Sequence, residues 1–501
     1  MMIRNFNKNL ESEAYDKLYI TRQKSYPNSK LPASKKELLK FQTEVLENTV
    51  EYLNKYKYCI LNLDTGLGKT FLSLHLITQC YKSENNKIPI LIVAPANNII
   101  DPWEKEINEL NHFKVGSLKV YKYHGLEKET LSDNNSLQVI GYDVILTSYQ
   151  TLVSKNCNSF FRETCFPLVI FDEPQKIINQ LKANISLKSL SFIKSSYRLA
   201  LTASPLSNSP NELYILEAFI ENPASIWRAY SFIKDENDSV KESCREFIPI
   251  ISESKFSSKV QDDISLPNLN QYRFLLPVAD SVEEKLKEIN NFPQKSKLLA
   301  CPTLFRVKND ELFFDSKIKI LKLILEKIPR YEKTIIFSMY TEGLEYLFCE
   351  LTRMGYICFK TIGQMTTKAR ADSVTDFKTY KKKAVMLASI KANETGLNYQ
   401  EANNVIFLDT WYNPQVIKQA RDRCFRLGQK KTVQVFFLST NTDFENQVWK
   451  TENQKIKEKN ELLHWEMEPP PQELDYSDNP KYIENIGILL DNIYKDEVIT
   501  D

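Results

Sequence analysis

Cys59-Ile60-Leu61-Asn62-Leu63-Asp64-Thr65-Gly66-Leu67-Gly68-Lys69-Thr70 sets a short apolar run directly before a glycine loop, and Phe71-Leu72-Ser73-Leu74-His75-Leu76 continues it as a helical stretch. Strand, loop and helix in that order are the context in which backbone N–H groups can point at phosphate oxygens. Gly66 and Gly68 give bare amides, Lys69 offers a point charge for β/γ phosphates, and the Thr70 hydroxyl suits Mg²⁺. Asp64, Thr65 and Leu67 complete the candidate nucleotide loop. Position 63 is leucine, so the strict Gly-x-x-x-x-Gly-Lys-Ser/Thr pattern is not met. Taken alone, the stretch has a second reading as a strand-to-helix glycine turn with a surface lysine.

About a hundred residues on, Pro167-Leu168-Val169-Ile170-Phe171-Asp172-Glu173 ends another apolar run in two acids. Carboxylates at the C-terminal end of a parallel strand sit where the ligand crevice of an α/β sheet opens. Asp172 there can hold Mg²⁺ through water, and Glu173 can orient or deprotonate an attacking water. An acid pair at a strand end is common by itself. Beside Gly-Leu-Gly-Lys-Thr it points to ATP and Mg²⁺ as ligands and to an ATPase.

Around these two stretches, short apolar runs alternate with helical ones from about Lys36 to residue 224, which predicts an α/β lobe on a doubly wound parallel sheet. An amphipathic helix is expected from about Lys36 through Tyr56. Residues 225–315 lose the alternation and read as a mostly helical, polar linker with protrusions. The alternation returns over 316–460 as a second α/β lobe. Residues 1–35 form an N-terminal extension, and 461–501 a linker with three prolines (469–471) and an acidic tail holding one possible short helix, Tyr482–Tyr494.

The chain has 501 residues, too many for one compact core at roughly 150 per domain. Its 42% hydrophobic and 26% charged residues are those of a globular protein, which argues against general disorder. A net charge of +2 means that any nucleic-acid surface is a local patch. No apolar run is long enough for a membrane span, and the start lacks a secretory signal, so a soluble intracellular chain with no membrane partner is expected. Nine scattered cysteines without a C-x-x-C pair, and four histidines in no cluster, exclude a zinc site of the usual spacing. There are only eleven glycines, where average usage near 7% would give roughly 35, so each hints at a backbone requirement.

With these segments in view, the chain resembles the Swi/Snf family of superfamily-two helicase-type ATPases. Gln42, in Leu-Leu-Lys-Phe-Gln, is similar to the glutamine that reads adenine. Residues 91–107, 142–150, the Asp172-Glu173-Pro174-Gln175 box and Leu201-Thr202-Ala203-Ser204-Pro205 follow in family order. In the second lobe, Gln419-Ala420-Arg421-Asp422-Arg423-Cys424-Phe425-Arg426-Leu427-Gly428-Gln429 resembles Gln-Ala-x-Asp-Arg-x-x-Arg-x-Gly-Gln. The resemblance covers about residues 36–450. It implies two RecA-like lobes, with Lys69, Asp172, Glu173, Arg423 and Arg426 as catalytic residues and Gln42, Gln175 and the loop 64–70 on the nucleotide. Thr202, Ser204, Gly396 and Gln419 would couple ATP to DNA, and Thr70 and Asp172 would hold the metal. At i and i+3, Arg423 and Arg426 are expected on one helix face, directed at phosphates as arginine fingers.

The same resemblance implies sequence-independent contact with double-stranded DNA through segments near Pro95–Asn98, Thr147–Tyr149, Ser338–Tyr340, Gly363 and Thr395–Asn398; the basic run 378–383 reads first as a solvated loop and otherwise as a further phosphate contact. It also implies transcription or chromatin proteins as partners, roles in transcription or DNA repair, and a nuclear location. The chain is short for the family, and its Lys/Asn/Ile-rich composition resembles that of virus-encoded members. A strand-separating helicase and a turnover-deficient DNA-binding regulator are the rival functions. The second is motivated by Pro174 and Gln175, by Ala203 where glycine is usual, and by Glu394 before Thr395-Gly396.

Overall fold

Ile90–Ala94, Val144–Ser148, Lys333–Ser338, Ala384–Ser389 and Val433–Thr440 are strands in which every side chain is buried. Apolar runs of this kind need helices on both faces of a sheet. The computed structural model describes residues 38–64, 66–80, 88–96, 103–112, 118–123, 141–154, 160–175, 190, 193–203, 205, 211–222, 250–252, 267–278, 280–300, 311–390, 398–409, 411, 413–426, 429–463 and 469–495. The chain divides into two units, 1–263 and 264–501.

The first unit holds one seven-stranded parallel sheet: β1 (Tyr58–Asn62), β2 (Ile90–Ala94), β3 (Val120–Tyr123), β4 (Val144–Ser148), β5 (Cys165–Asp172), β6 (Lys194–Thr202) and β7 (Ile250–Ser252), in the order β3-β4-β2-β5-β6-β1-β7. The second unit holds another: β8 (Leu269–Leu276), β9 (Lys333–Ser338), β10 (Cys358–Thr361), β11 (Ala384–Ser389), β12 (Asn404–Phe407), β13 (Val433–Thr440) and β14 (Gln472–Asp475), in the order β10-β11-β9-β12-β13-β8-β14. Matching β8 to β1, β9 to β2 and so on makes the two orders identical. Each unit is a RecA-like α/β lobe.

Three expectations shift. The first helix, α1 (Lys40–Tyr56), begins after Leu39, whose ψ of 160° is extended, rather than near Lys36. The stretch 225–315 gives a strand to each sheet, β7 and β8; β7 is only three residues long, and β8 begins with the half-buried Leu-Asn-Gln-Tyr, so neither gives a clean apolar run. Residues 225–249, 253–266, 279 and 301–310 of that stretch lie outside the described residues.

The third concerns the proline-rich tail, whose strand and helix both belong to the second lobe. β14 extends the sheet beside β8, with Glu473 Oε2 accepting from Arg273 Nη1 at 2.5 Å. The helix Tyr482–Lys495, expected from the sequence, buries Tyr482, Ile486, Gly487, Leu490 and Tyr494, and packs against the helix Glu311–Lys327. Its tyrosines also reach partners: Tyr482 Oη lies 3.2 Å from Ser316 Oγ, and Tyr494 donates to Asn404 Oδ1 at 2.7 Å.

Leu490, fully buried, should cost about 2–5 kcal/mol of second-lobe stability when changed to alanine. Ile488→Ala, at 56% exposure, should change it by no more than about 0.5 kcal/mol. Denaturant unfolding of the full chain measures both, and equal effects would mean that the tail is not part of the core.

Candidate functional site

The loop after β1 is shaped by two glycines in the left-handed region, Gly66 at φ 88° and Gly68 at φ 85°. Helix α2 (Lys69–Cys80) opens immediately afterwards, so its unpaired N–H groups face the loop. Lys69 folds back across it: the ammonium donates to the Leu63 carbonyl at 2.8 Å and the Asp64 carbonyl at 3.2 Å. Leu67 N–H closes the turn onto Asp64 O at 3.4 Å.

Beneath the loop stands Gln42, 6% exposed, with Oε1 accepting from Leu39 N–H at 3.0 Å and Nε2 donating to Leu67 O at 3.1 Å. Its amide is thus a strut joining the start of α1 to the loop. A Cβ on Gly68 would lie 2.7 Å from that Nε2 and would push the Gln42 amide aside, while the left-handed φ favours glycine by itself. Thr70 is the second residue of α2, and Thr65 lies outside the described residues.

The acid box leaves the sheet at the same level. In the register, Asp172 of β5 pairs with Leu201 of β6, and Asn62 of β1 pairs with Thr202 of β6. Glu173 N–H donates to Leu201 O at 2.8 Å, and Leu63 N–H donates to Thr202 O at 3.2 Å. Two successive carbonyls of one strand therefore fix where the loop and the acids emerge. Glu173 adopts φ 49°, uncommon for a residue with a side chain and characteristic of strained functional positions.

Gln175, 4% exposed, donates from Nε2 to Glu173 Oε2, while its own buried Oε1 has no hydrogen bond among the described residues. The opposite amide orientation would set oxygen against carboxylate, so this one is electrostatically consistent. Asp172 is 6% exposed and is gripped twice: Trp103 Nε1–H donates to Oδ2 at 3.1 Å, and Tyr149 Oη–H donates to its backbone carbonyl at 3.0 Å. Burial and the two adjacent carboxylates push the Tyr149 hydroxyl well above its ordinary pKa, so it remains a donor. These residues fit a nucleotide triphosphate with its Mg²⁺: an amide cradle free of side chains, a lysine, a hydroxyl and a buried carboxylate.

Thr202 is buried at the end of β6, and Ser204 lies outside the described residues. Thr147, Ser148 and Tyr149, expected along DNA, turn their side chains inward instead. Thr147 donates to Tyr123 O at 2.9 Å, Ser148 caps the short helix Tyr149–Val153 by accepting from Thr151 N–H, and Tyr149 is 1% exposed. Pro95 and Ala96 are half-buried, and Asn97 and Asn98 are outside the described residues.

In the second lobe, Asn413 caps the helix Pro414–Arg421, its Oδ1 accepting from Gln415 N–H at 3.0 Å, with proline in the first turn. The helix ends at Arg421, so Arg423 and Arg426 do not share a helix face as their spacing predicts. They lie in tight turns, with Cys424 N–H on Arg421 O and Gln429 N–H on Arg426 O. The fully buried Cys424 draws the chain inward there. Both arginines are half-buried, as is Gln419 on the helix.

Gln429 fastens the turn: Nε2 donates to Gln400 O and Ala402 O, both at 2.9 Å, and Oε1 accepts from Lys430 and Lys431 N–H, both at 3.0 Å. Ser338 and Met339 are clipped to the buried Asp409, which accepts from Ser338 Oγ and from Met339 N–H at 3.1 Å. Burial pushes the Asp409 carboxyl up to about 6. Gly363 is exposed, as are Lys381 and Lys382; Gly396 and Thr395 lie outside the described residues.

Residues 41–280 match the SNF2-related domain, and residues 316–428 match the helicase conserved C-terminal domain. Among curated proteins, the chain is 27% identical over 422 residues to "Uncharacterized ATP-dependent helicase MG018" of Mycoplasma genitalium, covering 79% of this chain and 39% of that protein. It is 27% identical over 423 residues to "ISWI chromatin-remodeling complex ATPase CHR11" of Arabidopsis thaliana, covering 78% and 39% respectively. The chain thus spans about two fifths of the length of these relatives. A solved Sulfolobus solfataricus SWI2/SNF2 ATPase core in complex with dsDNA is 21% identical, covering 83% of this chain and 90% of that one, with a TM-score of 0.40.

Gly68→Ala should cost about 1–2 kcal/mol through its left-handed φ alone and should also displace Gln42 from Leu67. A paired measurement of unfolding and of nucleotide affinity is the check. Unchanged stability and affinity together would mean that the loop does not need this conformation.

Proposed function

The chain belongs to the Swi/Snf family of superfamily-two helicase-type ATPases, and on that premise we propose that it hydrolyses ATP when bound to double-stranded DNA and translocates along it. The work done would be the remodelling of protein–DNA complexes in transcription or repair, in the nucleus where the cell has one. The observation that carries this reading is the emergence of the phosphate loop and the acid pair from adjacent carbonyls of β6.

The residues divide the chemistry as follows. Lys69 exchanges its two loop carbonyls for the β/γ phosphate oxygens, and the amides around Gly66 and Gly68 take the remaining oxygens. Thr70 and Asp172 would hold Mg²⁺, which when bound would neutralise charge on the triphosphate. Glu173 orients the attacking water and accepts its proton, with Gln175 fixing the carboxylate. Arg423 and Arg426 supply the guanidinium charge that the transferred phosphoryl group needs. Thr202, Ser204, Gly396 and Gln419 relay the nucleotide state to the DNA-bound segments.

Contacts would fall mainly on phosphate and sugar, which gives sequence indifference and strong salt dependence. The Gln175–Glu173 bond favours turnover over the turnover-deficient regulator, because the departure from the family box still orients the base.

Phosphate release should rise on addition of duplex DNA and vanish in Lys69→Ala. Glu173→Gln should keep ATP binding and lose turnover; Arg426→Ala should keep affinity and slow hydrolysis by roughly 10³–10⁵. Triplex displacement without unwinding of a forked duplex separates the translocase from a strand-separating helicase. A rate indifferent to DNA, or equal to that of Lys69→Ala, would defeat the proposal.

A further inference from the structure

Trp103 is fully buried, directly before helix α3 (Lys105–His112), and is 69 positions from the acid it touches. A carboxylate on a short side chain turns easily about its last torsion, because that torsion joins tetrahedral to planar carbon and has no sharp wells. The Asp172 carboxylate is spared that freedom. The indole N–H, a donor with no acceptor capacity, holds Oδ2 at 3.1 Å.

The backbone of the same residue is held separately by the Tyr149 hydroxyl on its carbonyl. Tyr149 stacks on Phe171, the residue before Asp172, with ring centroids 6.5 Å apart. Two neutral donors from two different places in the chain, the segment before α3 and the first residue of the short helix after β4, therefore converge on one acid. Among the described residues, neither polar tip makes another hydrogen bond, so the contact with Asp172 accounts for both placements.

Resting on the proposed role of Asp172 at the metal, we infer that Trp103 is a positioning residue for that metal-binding carboxylate, with Tyr149 anchoring its backbone. The indole sets the plane of the carboxylate before the metal arrives. Without the N–H the carboxylate must be ordered at the moment of binding, and metal affinity falls while the phosphate loop remains intact. Partners of this kind behind metal-binding groups typically change metal affinity or activity by 10–100-fold.

The test is an electron paramagnetic resonance titration of the full chain with Mn²⁺ in the presence of ATP. Position 103 carries 3-benzothienylalanine, which keeps the shape of tryptophan without its N–H; Trp103→Phe is the second variant. Both should weaken Mn²⁺ binding by about 10-fold. ATP affinity in EDTA should stay within about twofold, because the hydrogen bond removed is not on the phosphate loop. Tyr149→Phe should weaken Mn²⁺ binding in the same direction. Unchanged Mn²⁺ affinity in both position-103 variants, or an equal loss of metal-free ATP affinity, overturns the inference. Asp172→Asn separates the two levels. If it too leaves Mn²⁺ affinity unchanged, the metal role of Asp172 has failed; if it weakens binding while the position-103 variants do not, only the role of Trp103 has.

Discussion

Two neighbouring carbonyls on β6 govern the candidate site. Leu201 O receives Glu173 N–H, and Thr202 O receives Leu63 N–H, so the acids and the phosphate loop leave the sheet one residue apart along a common strand. A slip of the register on either side of β6 would move one group by about 3.3 Å relative to the other. That exceeds what a water positioned between carboxylate and phosphate can tolerate. The buried apolar faces of β1, β5 and β6 resist such a slip, because a one-residue shift would exchange the faces of every side chain on the moving strand. The packing of the core and the geometry of the site are in this sense one constraint.

The second lobe shows what the sheet does not decide. Its strand order repeats that of the first, yet β8 runs into Pro277-Val278-Ala279-Asp280, where β1 runs into Leu63-Asp64-Thr65-Gly66-Leu67-Gly68-Lys69. No glycine and no lysine stand at that point. Likewise β12 is followed by Asp409 as β5 ends in Asp172, but Asp409 is spent on Ser338 Oγ and Met339 N–H and serves to hold a loop. The architecture is duplicated and the chemistry is written in the connections, as is usual for folds that host many functions.

Much of this was legible in the sequence because it is local. An apolar run before a glycine loop and a run ending in two acids each declare themselves within a dozen residues. What stayed hidden depends on contacts between distant segments. Nothing near Trp103 indicates that its N–H meets Asp172, although a buried indole generally finds an acceptor. The spacing of Arg423 and Arg426 suits a helix, but burial of Cys424 and the Gln429 side-chain bonds hold that segment in turns. Gln-Glu-Leu-Asp at 472–475 has no strand pattern of its own; its backbone partner β8 and the buried Arg273 make it one.

Gln175 joins these themes. In the box Asp172-Glu173-Pro174-Gln175 the last position carries no ionisable group, and read as sequence this suggests a lost function. In three dimensions the amide lies beneath the Glu173 carboxylate and donates to it, while Glu173 is bent into a left-handed turn and the following proline fixes the next φ. A neutral donor suffices to orient an acceptor-only group, and unlike an imidazole it keeps that role across the whole pH range in which the protein is folded. Among the described residues the buried Gln175 Oε1 has no hydrogen bond, a cost of roughly 1–3 kcal/mol for an unsatisfied group. A donor arriving with nucleotide or DNA would recover that cost. The altered residue thus supports the proposed base by a different donor, and its geometry is that of a held carboxylate.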